Sequence, residues 1–260
     1  MNKCKKSIFT GLCAIAMLIL WNVPAASAQS EAVKAKAPMY AYIANWQIPR
    51  AHWPEMRSDD GSNAVLEKAL ADGTINGFGY DENLVHSPDG WTHDNWWTAT
   101  SMAGLIKVLE SLYAAGGGSS SPLESATKHW DLILMSRYYN WKPGTYKNAI
   151  VQVSSYKLKD SAPDNAYDAI SSEIVAPLLE KMLADGTIVE YEIDTASIHT
   201  SAPGTFMIVT VSANPEDVDK LNAAIRATIK DHPIEGVAFD ANTNSKAHRD
   251  ELALGTATFK

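Results

Sequence analysis

A ten-residue stretch occurs twice in this chain. Residues 66–75 read LEKALADGTI and residues 179–188 read LEKMLADGTI, so nine of ten positions are identical at an offset of 113 residues. In each copy an apolar-periodic helix ends at Asp-Gly and a strand follows at once. The same offset joins further identical residues: Asp81 with Asp194, His86 with His199, and Lys107 with Lys220. A repeat of this length predicts two copies of one supersecondary unit, which constrains the fold more than any other feature.

After each copy the apolar residues alternate with a period of two, as in a half-buried strand. In the second copy, one strand face carries Val189, Tyr191 and Ile193, and the other carries Glu190, Glu192 and Asp194. The first copy has Gly77, Gly79 and Asp81 on that other face. Glycine inside a strand indicates a bulge or a close approach by backbone or ligand. We expect the acidic residues of the second copy to form a solvated face or to pair with lysines.

Each half of the chain shows the element order β-α-β-β-α-β. The predicted strands cover residues 39–48, 74–81, 95–102, 130–139, 148–158, 188–195, 205–212 and 234–240. The predicted helices end at residue 72 and cover residues 104–115, 164–185 and 215–230, and Pro177 should kink or divide the third. Residues 252–259 are predicted only as an additional edge strand. This order is typical of a ferredoxin-like unit, an antiparallel four-stranded sheet with two helices on one face.

The predicted fold class is therefore α+β, with two tandem ferredoxin-like units that pack sheet to sheet. The first unit covers residues 38–142 and contains a Gly/Ser-rich insertion at 116–127, and the second covers residues 146–260. This plan resembles the dimeric α+β barrel superfamily in a single-chain form. The resemblance implies cofactor-independent oxidation or isomerisation of an aromatic or lipid-like substrate. It also implies, through the two-unit chlorite dismutases, an alternative in which His199 or His232 holds a haem.

The first 28 residues have the features of a secretory signal peptide. A basic segment with Lys3, Lys5 and Lys6 precedes an apolar core at 15–21 and an Ala26-Ser27-Ala28 cleavage site. Cleavage after Ala28 would remove both cysteines, which excludes disulfides, thiolate catalysis and thiolate metal sites from the mature chain. We expect a periplasmic or secreted protein.

The charge of the mature chain argues against nucleic-acid partners. It would carry 19 basic and 30 acidic residues, a formal charge of −11. An acidic balance disfavours binding to nucleic acid or to an anionic membrane surface. The predicted partners are a small-molecule ligand and, as an open alternative, a second copy of the chain.

Aromatic residues are concentrated in the first half. All seven tryptophans of the mature chain fall between Trp46 and Trp141. Apolar walls with a few polar groups are typical of a small-molecule pocket, although tryptophan also serves in cores and interfaces. The candidate ligand-binding residues are Trp46, His52, Trp91, Trp96, Trp97, Tyr139 and Trp141.

The candidate catalytic residues are His93, His86 and Arg137. Histidine beside a carboxylate can act as a general base, as in His93-Asp94, but adjacent strand residues point to opposite faces, so this pair requires a loop. His86 has an equivalent in His199, which favours a structural role. Arg137 would bind an anion or oxyanion. No metal signature is present, and no cofactor is predicted apart from the haem alternative.

Three functions remain open from the sequence. The first is an exported small-molecule-binding protein or cofactor-independent enzyme with a Trp/His-lined site in the first unit. The second is a non-catalytic partner-binding or structural module whose tryptophans form an exposed patch or interface. The third is a haem enzyme.

Overall fold

A computed structural model describes residues 31–58, 63–117, 119–200 and 202–260. The predicted signal peptide lies outside these residues. The described strands are β1 (Met39–Gln47), β2 (Gly77–Asn83), β3 (His93–Ala99), β4 (Lys128–Trp141), β5 (Gly144–Lys157), β6 (Glu190–Ala196), β7 (Thr205–Ser212) and β8 (Arg249–Phe259). The described helices are α1 (Trp53–Ser58), α2 (Ala64–Ala71), α3 (Met102–Ala114), α4 (Ser121–Glu124), α5 (Ala166–Ala169), α6 (Ala176–Asp185), α7 (Pro215–Asp231) and α8 (Pro233–Asn242).

The eight strands form one closed antiparallel barrel in the order β1-β3-β2-β8-β5-β7-β6-β4. In the first half of the chain the order is β4-β1-β3-β2, and in the second half it is β8-β5-β7-β6, which are the same arrangement. Two further pairings, β2 with β8 and β4 with β6, join the halves edge to edge. The two sheets are therefore continuous through hydrogen bonds, whereas the sequence predicted only that they would pack face to face.

The helices lie outside the barrel and cover each half of the sheet. In the first half α2 and α3 bury Leu66 and Leu105 against Tyr42, Phe78 and Trp97 of the strands. In the second half α6 packs on β4 and β6, and α7 packs on β5 and β7. Among the described residues, no helix is both long and apolar enough to cross a membrane.

The repeated Asp-Gly-Thr-Ile sequence forms the same helix-to-strand turn in both halves. Asp72 Oδ1 accepts hydrogen bonds from the backbone N–H (3.0 Å) and hydroxyl (2.6 Å) of Thr74. Asp185 Oδ1 accepts the equivalent pair from Thr187 at 3.0 and 2.7 Å. The intervening glycines have φ of +78° and +86°, a region that favours glycine. The residue after each turn, Ile75 or Ile188, is fully buried.

The strand glycines of the first half give room to large side chains. A Cβ at Gly77 would stand 2.7 Å from the ring of Phe259, and one at Gly79 would collide with the indole of Trp96. Of the two explanations offered by the sequence, the close approach is the one observed here. Its source is an aromatic side chain of the chain itself.

The strand predicted at residues 234–240 is wrong. These residues belong to α8, which begins at Pro233, because proline has the φ of a first helical turn and no N–H to donate to a neighbouring strand. The last strand of the second half is β8, predicted only as an additional edge strand. It lies between β2 and β5 and closes the barrel.

Pro177 divides the long helix of the second half, as predicted. Residues Ile170–Val175 form a π-helical segment between α5 and α6, and Pro177 stands in the first turn of α6. Proline cannot donate the hydrogen bond that would continue an α-helix through this point.

Candidate functional site between the first sheet and its helices

A cavity of about 380 Å³ lies between the outer sheet face of the first half and the helices α2 and α3. We call it the first cavity. Its floor comes from alternate residues of β1, β3 and β4, which share a face because strand side chains alternate. The polar and aromatic lining residues are Tyr42, Trp46, Asn63, Asn95, Trp97, Tyr113, His129 and Asp131. This volume lies in the range of small-molecule sites.

Two stacked aromatic pairs form walls of the first cavity. The rings of Tyr42 and Trp97 stack with centroids 4.4 Å apart and an interplanar angle of 12°. Those of Trp46 and His129 stack at 3.7 Å and 19°. Flat, rigid walls of this kind suit a planar ligand, because offset stacking adds to the free energy of burial.

His129 has a fixed orientation on β4. Its Nδ1 lies 3.0 Å from the carbonyl oxygen of Asn45, and since a carbonyl can only accept, Nδ1 carries the proton. In the neutral ring Nε2 therefore has a free lone pair. Asp131 Oδ1 lies 3.4 Å from this Nε2. A proton taken up by Nε2 would thus be stabilised by a carboxylate already in position.

A phenol and an indole complete the polar groups of the first cavity. Burial and a hydrogen bond to Asp131 raise the pKa of Tyr42 far above its usual value, so this phenol stays neutral. The indole Nε1 of Trp46 is buried and donates no hydrogen bond to the described residues. An unpaired donor beside a base and a carboxylate provides a group that can orient a polar ligand atom.

The predicted ligand-binding residues lie in several places. Trp46 and Trp97 line the first cavity, whereas Trp91 and Trp96 line the inside of the barrel. Tyr139 and Trp141 stack on each other at 5.7 Å near the end of β4. His52 lies on a short 3-10 turn, with Nδ1 3.3 Å from Glu55 Oε2. The structure does not assemble these seven residues into one site.

The predicted catalytic residues do not meet either. His86 and His93 both contact the ring of Trp53, at 4.6 and 5.9 Å. His93 is fully buried, and burial lowers its pKa to about 4, which makes it a weak base. Arg137 lies elsewhere on β4, with Nη1 3.9 Å from Asp168 Oδ1.

The His93-Asp94 pair is separated by the strand. Both residues belong to β3, so His93 faces outward toward Trp53 and Asp94 faces the inside of the barrel. The loop that this pair would need is absent at this point of the described chain. As a base with an adjacent carboxylate, the pair is excluded by geometry.

The acidic face of the second half is buried, contrary to the expected solvated face. Glu190, Glu192 and Asp194 point into the barrel, and only 2%, 6% and 1% of their surfaces are exposed. The reason is closure, because a face that would be solvated in an open sheet becomes the inside of a barrel.

A second cavity, of about 340 Å³, occupies the equivalent place in the second half, between β5, β7 and the helices α6, α7 and α8. His232 lines it, with Nδ1 3.5 Å from Glu235 Oε1. The described lining includes no lysine or arginine, so haem propionates would face Glu235 and Asp240. His199 is exposed and does not line this cavity. These residues do not fit a haem.

Sequence reasoning missed His129 and Asp131. The fourth strand was predicted to begin at Trp130, which left His129 outside it. Two residues apart in a strand share a face, so a strand beginning at Lys128 would have paired this histidine with this carboxylate. The signal was the His-x-Asp spacing.

Comparisons with known proteins identify the fold. No protein-family model matches the sequence, and no curated protein matches it. Among solved structures, a "putative monooxygenase" from Lactobacillus acidophilus is similar at 14% identity and a TM-score of 0.64, over 86% of this chain and 97% of the other. A "putative monooxygenase" from Fusobacterium nucleatum gives 9%, 0.60, 86% and 95%.

A third similar structure is an anthrone oxidase-like protein, with 8% identity and a TM-score of 0.50 over 85% of this chain and 93% of the other. At these identities the likeness concerns the fold alone. The chain has the fold of the dimeric α+β barrel superfamily, which confirms the resemblance noted from its sequence plan.

Proposed function

We propose that this protein is an exported enzyme that oxidises a planar aromatic substrate with molecular oxygen in the first cavity. The observation that carries the proposal is the His129–Asp131 pair at the edge of a 380 Å³ cavity walled by two stacked aromatic pairs. The proteins of similar fold include two called monooxygenases and one called anthrone oxidase-like, which supports this reaction class.

The chemistry needs only a base, a positioned substrate and oxygen. His129 Nε2 removes a proton from an activated ring methylene, and Asp131 stabilises the imidazolium that forms. The carbanion adds to O₂, and protonation gives a carbon-bound hydroperoxide. Loss of the second methylene proton breaks the O–O bond and leaves a ketone and water. The substrate supplies all four electrons, and the Tyr42–Trp97 wall holds its rings.

The test is oxygen uptake by the purified chain with anthrone, whose central methylene is activated on both sides. We expect turnover to fall by about 10²-fold or more in His129→Gln, because that is the usual contribution of a general base. Asp131→Asn should lower kcat with a smaller change in KM. In Trp97→Phe, KM should rise, since the wall that holds the substrate is reduced.

The matched control is His86→Gln, which makes the same chemical change at an exposed histidine outside the first cavity. His93→Gln and Arg137→Gln test the candidates predicted from sequence, and undiminished turnover would remove them from the site. The proposal is wrong if the wild-type chain neither binds nor oxidises any of a panel of one- to three-ring aromatic ketones and phenols, followed by tryptophan fluorescence.

We also propose that the two halves are copies of one βαββαβ unit and that the chain is exported with cleavage after Ala28. The shared strand order and the matching turns at Asp72 and Asp185 support the duplication. Export rests on the signal-peptide pattern alone. Mass spectrometry of the mature protein should give an N-terminus at Gln29, and an intact Met1 would contradict export.

A non-catalytic role as a self-associating module is the second candidate. The tryptophans do not support it as predicted, because none of the seven, all in the described chain, is exposed. The observation in its favour is an apolar group on α7 and α8, where Ile229, Ile234 and Val237 are more than half exposed. Light scattering should then show a dimer that Ile234→Ser with Val237→Ser dissociates.

A further inference from the structure

The inside of the barrel contains five carboxyl groups. Asp81 and Asp94 come from β2 and β3 of the first half, and Glu190, Glu192 and Asp194 come from β6 of the second. Each is at least nine-tenths buried. The two groups face one another, since the charge of Asp81 acts on Glu190. Burial raises the pKa of Asp81 and Asp194 to about 7 and places the other three well above their usual values.

Four carboxyl oxygens point into this space without a protein donor. Trp96 Nε1 donates to Asp81 Oδ2 at 3.0 Å, and Trp91 Nε1 is used by Glu251 at 2.9 Å. The orphaned atoms are Asp81 Oδ1, Asp94 Oδ1, Glu190 Oε1 and Asp194 Oδ1. A buried acceptor without a donor costs free energy, so four together indicate a site for something that donates.

No basic side chain compensates these acids. The described residues that line the space include no lysine, arginine or histidine; the remainder are apolar, Thr98, and the tryptophans Trp91 and Trp96. A buried carboxylate is stable only when it is protonated or paired with a cation. Above the pH at which these groups ionise, a bound cation is the partner that keeps the inside of the barrel neutral.

The geometry selects the kind of cation. Within the described residues, no group of three or more His, Cys, Asp or Glu has the arrangement that holds a metal ion. A primary ammonium has three N–H donors for orphaned oxygens, and indole rings attract it. The space is about 80 Å³, enough for about two or three heavy atoms by comparison with the roughly 30 Å³ that one water occupies.

We propose that the barrel interior is a binding site for a small primary ammonium ion, held by the orphaned oxygens of Asp81, Asp94, Glu190 and Asp194 and bordered by Trp91 and Trp96. This site is separate from the first cavity, since the sheet lies between them. Its ligand class does not depend on the proposed oxidation.

The test is thermal unfolding of the purified chain with methylammonium chloride at pH 8, in phosphate buffer because Tris is itself a primary amine. Sodium chloride and tetramethylammonium chloride at the same ionic strength are the comparisons, and neither supplies an N–H donor. Methylammonium should raise Tm saturably, by about 5–10 °C at a hundred times its Kd, and the other salts should not.

Two variants locate the effect. Glu192→Gln with Asp194→Asn should abolish the methylammonium shift, while Asp89→Asn, the same change at a carboxyl that is 95% exposed, should retain it. Met207→Lys places a tethered ammonium opposite Asp194, its strand partner, and should give a folded chain that no longer responds to methylammonium.

Equal shifts with all three chlorides would overturn the proposal, because they would reflect ionic strength. A shift that persists in the Met207→Lys chain would place the ammonium outside the barrel. If the wild-type Tm is unchanged at every concentration, the acids are protonated groups of a core without a ligand.

Discussion

Gly255 on β8 is the position where the barrel tolerates a side chain least. It pairs directly with Asp81 of β2 across one of the two contacts that join the halves. A Cβ there would stand 2.5 Å from the backbone carbonyl oxygen of Tyr80, 2.8 Å from Asp81 Cγ, and closer still to the Asp81 carboxyl oxygen. The side chain of Asp81 can turn away, but the carbonyl belongs to the strand and can move only with it.

We therefore expect Gly255→Ala to destabilise the fold by about 3 kcal/mol, the upper end of the usual cost of overpacking. For a chain of this size that corresponds to a Tm lower by about 6–12 °C. The assay is thermal unfolding followed by far-ultraviolet circular dichroism. Adding Asp81→Ala should recover only part of the loss, since the clash with the Tyr80 carbonyl remains.

Gly236→Ala is the matched control. Its Cβ would stand 3.4 Å from Ile229 Cγ2, an accommodating distance, within the exposed helix α8. Alanine is a better helix former than glycine by about 1 kcal/mol, so Tm should rise by about 2–4 °C. The reasoning is refuted if the two alanine variants shift Tm in the same direction, or if Gly255→Ala melts with the wild type.

Further predictions concern charge and single hydrogen bonds. Because burial raises the pKa of Asp81 and Asp194 to about 7, the folded chain binds more protons than the unfolded chain between about pH 4 and 7. The free energy of unfolding should fall as pH rises through this window, and Asp194→Asn should flatten the slope; melts at pH 5 and pH 8 measure both. Asn63→Ala removes the acceptor for the Val65 and Leu66 amides at the start of α2 and should cost about 1 kcal/mol by urea titration. Tyr191→Phe removes a buried 2.7 Å bond to Glu180 and should cost about 1.5 kcal/mol by the same method.

Local patterns in the sequence predicted the elements well where period and boundary signals agreed. β7 has the predicted bounds of residues 205–212, and α7 extends one residue beyond the predicted 215–230. Both are marked by features that act within a few residues: β-branched alternation in the strand, and Pro215 at the first position of the helix.

Barrel closure could not be predicted in the same way. It depends on β8 pairing with β2 across more than 160 residues of chain, and no local period encodes that. This one contact decides whether Glu190 and Glu192 meet water or each other, so the error about the acidic face follows directly from it. The strand predicted at 234–240 took the place of β8 for the same reason.

The candidate site was predicted by composition and not by arrangement. The concentration of tryptophans pointed to the first half, and Trp46 and Trp97 do line its cavity. Which aromatic side chains meet depends on the face of each strand and on its neighbours in the barrel. A one-residue error at the start of β4 was enough to lose His129.

The position of β8 between β2 and β5 has a consequence for the order in which the protein is made. A ribosome releases the chain from its N-terminus, so β8 emerges last. Until it does, β2 and β5 present unpaired edges that could pair with another chain. A chain truncated by about a dozen residues would keep both edges open permanently. The last strand thus converts an aggregation-prone nascent sheet into a molecule without edges.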